Sequence, residues 1–75
     1  MEKKYLGAMR NALHQFNRGK RGHYLWEMDE AVASIRGIAY VAIADDSISW
    51  EDYTKILKLR STLAGKLFDI KWGEL

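Results

Sequence analysis

Leu6, Met9, Leu13 and Phe16 recur at intervals of three and four residues, with Ala8 and Ala12 beside them. That spacing draws one apolar stripe along a helix, predicted over about residues 3–17. The next six residues, Asn17-Arg18-Gly19-Lys20-Arg21-Gly22, hold two glycines and no large apolar side chain, so the pattern predicts a loop. A second stripe begins at Met28 and continues through Ala31, Val32, Ile35, Ile38, Ala39 and Ala42. It predicts a helix over about 26–44, with Glu27, Asp29 and Glu30 near its start, where the helix dipole favours negative charge. Tyr40, Val41 and Ile43 widen the apolar surface almost around this helix, which marks it as central to the fold. The β-branched residues of 38–43 also permit a strand, but a helix accounts for the whole stretch.

The third segment has the best-marked start. Asp45-Asp46-Ser47-Ile48 makes a polar turn, and Ser49 with Asp52 three residues later forms the pattern of a capping box. Ile48 and Tyr53 stand where a hydrophobic staple would close over that cap. Tyr53, Ile56, Leu57, Arg60, Leu63, Ala64, Leu67 and Phe68 then follow helical spacing, predicting a helix over about 50–69. The remaining residues are too few for another element. Ala33 and Gly37 are small and four apart, so a neighbouring helix can come close to the second one.

These patterns predict an all-α domain: a small three-helix bundle, or a helical hairpin with an extra N-terminal helix. At 75 residues the chain is one domain and buries only about 60% of the surface of its unfolded form. It has no cysteine, which excludes disulfides and cysteine-based zinc sites as staples. Homodimerisation is the staple left, and it would cover apolar surface of the second and third helices together with Trp72. The longest mainly apolar run, Ala31 to Ala44, carries Arg36 near its middle and falls short of the roughly 20 residues a membrane span needs. No secretion signal is recognised in the amphipathic N-terminal stretch, so a cytoplasmic protein with no membrane partner is expected.

Charge changes the picture, because the overall balance of +2 conceals three blocks. Residues 1–23 carry roughly +5, 24–52 roughly −6 and 53–75 roughly +3. One block falls on each predicted helix, so complementarity between helices and acids at helix starts account for much of the pattern. What remains is the basic stretch Arg18, Lys20, Arg21 and His23, followed by the aromatic residues Tyr24 and Trp26. Cations beside aromatic rings suit phosphates and exposed bases, and Lys55, Lys58 and Lys66 would extend that surface if the third helix lay alongside. A solvated loop whose aromatic residues enter the core is the plainer account.

The other candidates have plain readings too. The string from Asp45 to Asp52 resembles the second half of an EF-hand calcium loop, but with Ile48 at the central hydrophobic place the earlier ligand positions fall on Val41 and Ile43. A turn and a capped helix explain those acids without a metal. His14 and His23 have no metal-ligand or triad spacing, and there is no phosphate loop, nucleophile elbow or cysteine nucleophile. No enzyme, cofactor or metal is therefore expected.

Arg36 lies in an apolar helix and needs Asp29, Glu30, water or a partner chain to meet its charge. Trp26, Trp50 and Trp72 all stand at helix ends, where they either close the core or anchor an interface. Trp26, Arg36, Tyr40, Trp50 and Trp72 thus form the candidate interface set. The expected role is a small protein-interaction module, an adaptor, inhibitor or regulatory accessory protein, binding itself and a further protein. Nucleic-acid binding through Arg18 to His23 is the alternative. Short tryptophan-bearing chains without cysteine are similar to accessory products of phages and plasmids, a likeness of type that gives no residue a role.

Overall fold

The structure, a computed structural model, describes residues 3–73, with the backbone alone described for Lys3 and Lys4. These residues form three helices: α1 (Lys3–Gly22), α2 (Leu25–Ala44) and α3 (Trp50–Gly73). Residues 38–43 are helical, inside α2. Each link is short enough to force the next helix back along the last, so α2 runs antiparallel to both neighbours. It packs against both, whereas no Cα of α1 lies within 8 Å of any Cα of α3. The acidic helix is therefore held between two basic ones. The result is a slab of 42 × 19 × 12 Å, whose radius of gyration of 12.8 Å exceeds the roughly 11 Å expected for a rounder chain of this length.

The core is built from the predicted stripes. Met9, Ala12 and Phe16 of α1 meet Met28, Ala31, Val32 and Ile35 of α2 and Leu63 and Leu67 of α3 in one buried cluster. Leu13, Ile38, Ile56, Ala64 and Ile70 pack around it. Phe16, Met28 and Ile35 are the largest side chains fully withdrawn from water, and losing the Ile35 side chain to alanine would cost about 2–5 kcal/mol.

Two boundaries differ from the sequence pattern. The expected loop at 18–22 is helical, and α1 ends only at Gly22, so it is as long as α2 rather than the short helix of the set. The reason is tertiary. Gly19 is buried, and a Cβ built on it would fall 2.9 Å from Met28 Cγ and 3.1 Å from the Tyr24 carbonyl oxygen. Its missing side chain is what lets the start of α2 seat against the end of α1, and that packing outweighs the poor helix propensity of glycine. The second difference is α3, which runs four residues past the predicted end at 69. Ile70 packs on the core, Lys71 Nζ reaches Asp29 Oδ2 at 2.8 Å, and the Phe68 and Trp72 rings meet at 5.6 Å one turn apart.

Both reversals use the same device. After α1, the Tyr24 N–H donates to the Gly19 carbonyl at 2.9 Å, with His23 between them at φ 58°. After α2, the Ser47 N–H donates to the Ala42 carbonyl at 2.9 Å, with Asp46 at φ 62°. These are six-residue helix-ending loops with a left-handed residue, a place glycine usually takes. Asp45 reinforces the second one by accepting the Ser47 N–H at 3.0 Å on Oδ1, and its other oxygen accepts the Tyr5 hydroxyl from the start of α1. The α3 cap forms as the pattern predicts: Ser49 Oγ accepts the Asp52 N–H at 3.1 Å, and Ile48 ahead of it is buried.

The glycines give a test with opposite signs. Gly65→Ala, where nothing lies within 4 Å of the added carbon, should stabilise the chain by up to about 1 kcal/mol in urea denaturation. Gly19→Ala should destabilise it by about 1 kcal/mol or more, because the crowded carbon outweighs the same gain in propensity.

Candidate functional site

The outward side of α2 is unusual for the middle element of three. A core helix normally turns polar residues to water, yet Trp26, Ala33, Gly37, Tyr40, Val41 and Ala44 are all exposed on the side away from Met28, Ile35 and Ala42. Trp26 is 65% and Tyr40 67% exposed. At about 100° per residue these positions form one stripe along the whole helix.

The stripe continues onto α3. The Asp29–Lys71 pair sets the end of α3 beside the start of α2, the two helices running antiparallel. Arg36 stands two turns after Asp29 and so faces the same side, toward α3. Phe68 and Trp72 lie next to Lys71 but further round, on the outward shoulder of α3, and both are exposed. Trp50, exposed, begins the same shoulder, edge-on to Tyr53 with ring centroids 5.6 Å apart. Phe68, assigned to the core stripe by its spacing, is thus a surface residue. Its spacing fits the stripe, but it lies on the side of α3 that α2 leaves uncovered.

On the other side of α2, Ala8, Asn11, Ala12 and Gln15 of α1 and Ser34, Gly37 and Ile38 of α2 line an open groove of about 430 Å³. It holds amides and one hydroxyl but no titratable side chain. The face as a whole therefore offers apolar area, aromatic edges and a few neutral hydrogen-bonding groups, with Glu30 the acid on its stripe.

Two arginines sit in it without an acid. Arg36 is exposed and, among the described residues, makes no ion pair; Asp29 is taken by Lys71, so neither Asp29 nor Glu30 serves as its expected partner. Arg60, three turns before Lys71 on the α2-facing side of α3, has a buried Nε with no hydrogen-bond partner. All three tryptophans are exposed, so none closes the core.

The basic residues do not gather into one patch. Arg18 NH2 lies 3.3 Å from Glu27 Oε1, with side chains 62% and 13% exposed, so this arginine is engaged in joining α1 to α2. Lys20 and Arg21 are exposed in the last turn of α1, and His23 holds the left-handed turn position. Lys55, Lys58 and Lys66 lie on the edge of α3 turned away from α2, and Lys55 pairs with Glu51 at 3.3 Å. The start of α3 is at the opposite end of the slab from Arg21, about 30 Å away along the axis at 1.5 Å per residue of α2. His14 is exposed on α1. Among the described residues no three His, Cys, Asp or Glu side chains gather as metal ligands would, and no helix is long and apolar enough to cross a membrane. The acids at 45–52 serve turn and cap.

The class defined by this geometry is an all-α three-helix protein with an apolar outer face on its central helix. No family model matches the chain, and no curated protein or solved structure matches it either.

Tyr40 and the three tryptophans were legible as interface candidates. The exposure of Val41 and Phe68 is not legible in the spacing, which puts Val41 on the flank and Phe68 within the apolar stripe of its helix.

Arg18 separates a structural cation from solvated ones. Arg18→Ala leaves the largely covered Glu27 carboxylate without its partner and should cost about 1 kcal/mol by thermal or urea unfolding. Arg21→Ala should stay within about 0.5 kcal/mol of the parent.

Proposed function

We propose that the chain is a protein-interaction module, an adaptor, inhibitor or regulatory accessory protein without catalytic chemistry of its own, which works through the outer face of α2 and the adjoining shoulder of α3. The observation that carries this reading is the exposed line Trp26, Ala33, Gly37, Tyr40, Val41 on the one helix that both neighbours pack against. A surface of that kind is costly to leave in water, and aromatic residues with an arginine are the side chains enriched where proteins dock. The partners it suits are proteins, a second copy of this chain among them. The dispersed lysines and the engagement of Arg18 by Glu27 give nucleic-acid binding less support.

The test is affinity capture by the full chain, compared across variants. Tyr40→Asp and Phe68→Asp place a charge in the face, and Lys58→Glu changes a residue outside it. A protein retained at near-stoichiometric level by the parent and Lys58→Glu, and reduced about tenfold or more by both face variants, is the expected result. Equal capture by all four chains overturns the reading. Capture of nucleic acid that falls steeply with salt and is lost with Lys20→Ala and Arg21→Ala replaces it with the alternative.

A further inference from the structure

We infer that the outer face of α2 is covered by the same face of a second copy, with the two α2 helices antiparallel and the two-fold axis beside Ala33. This rests on the protein-interaction reading and names the occupant and the geometry.

Spacing supplies the first argument. Trp26, Glu30, Ala33, Gly37, Tyr40 and Ala44 alternate steps of four and three, all six are exposed, and five of them are uncharged. Such a line is the seam that a second helix follows. Side-chain size then selects the direction. Trp26 and Tyr40 are equally far from Ala33, so a two-fold axis there sets Trp26 of each copy against Tyr40 of the other. Ala33 meets Ala33, and Gly37, open to space within 4 Å, lets the two backbones come close beside the axis.

Charge supplies a second and independent argument. Asp29 and Arg36 lie on the same side of α2, and antiparallel two-fold packing brings like sides together. With the axis beside Ala33, Asp29 of one copy falls next to Arg36 of the other, and the pair occurs twice. Arg36 makes no ion pair within the described chain, and Asp29, although joined to Lys71, is still half exposed. A parallel pairing would instead set Glu27, Asp29 and Glu30 of both copies side by side.

A cysteine-free chain makes the test direct. Sedimentation equilibrium of the full chain at about 100 μM should give twice the 8.7 kDa chain mass, the behaviour of an interface with a micromolar dissociation constant. Ala33→Cys, on the axis, should oxidise to a covalent dimer at least tenfold faster than Lys58→Cys on the far edge of α3, because a disulfide needs its two Cβ atoms about 4 Å apart. Arg36→Asp should weaken association about tenfold, and adding Asp29→Arg to it should restore the affinity to within about threefold. A dimer in which Ala33→Cys cross-links no faster than Lys58→Cys overturns this arrangement while leaving the interaction reading to the capture experiment. A chain of single mass that also fails to cross-link through Ala33→Cys overturns it too. If capture by the parent and the face variants is then equal as well, the interaction reading falls separately.

Discussion

One line of α2, from Met28 to Ala42, has to be buried by two helices whose backbones never come within 8 Å of each other, and the rest of the structure follows from that constraint. Two helices flanking a third cover somewhat less than half of its circumference. What they cover here is complete, with Ile35, Ala31 and Ala42 withdrawn from water. What they leave uncovered is a full-length outer side. In a larger protein a fourth helix would occupy that side, and in this one the side chains placed there are apolar except for Glu30.

The same constraint explains the ends. To lie flush against α2, α1 must continue through Gly19 and reverse within two residues, and a left-handed His23 closes that reversal with a bond from the Tyr24 N–H to the Gly19 carbonyl. At the other end, Asp46 does the same and Asp45 joins the turn to Tyr5 at the start of α1. Arg18 with Glu27 and Lys71 with Asp29 tie the flanking helices to the start of α2. Surface ion pairs of this kind each contribute little to stability, but they define register. The charge blocks of the sequence thus supply two pairs between helices, and the other basic residues lie spread over the surface instead of on one face.

On the proposed reading, function is a consequence of incompleteness. The chain has no cysteine and a small core, so a face that holds Trp26, Tyr40, Val41, Phe68 and Trp72 in water represents stabilisation that association would recover. Arg36 and Arg60, both on the α2–α3 side and neither paired with an acid among the described residues, give that face a polarity that an acid on a partner would complement.

Periodicity alone determined the fold class, the three helices and most of the core: Met9, Phe16, Met28, Ile35, Leu63 and Leu67 stand where the stripes put them, and Ser49 caps where its spacing predicts. These are local properties, set by 3.6 residues per turn and by the chemistry of a free N–H at a helix start. The sequence also marked Trp26, Arg36, Tyr40, Trp50 and Trp72 as interface candidates, because tryptophans at helix ends and a charge in an apolar helix are anomalies at any tertiary arrangement. Tertiary structure decided the rest. Propensity reads Arg18 to Gly22 as a loop, yet it is helical, with Gly19 closely packed on Met28 and the start of α2. Spacing puts Phe68 in a core, and only the position of α2 on one flank of α3 turns it out to water. Whether an apolar residue is buried or left for a partner depends on which neighbours arrive from elsewhere in the chain, and no local pattern carries that information.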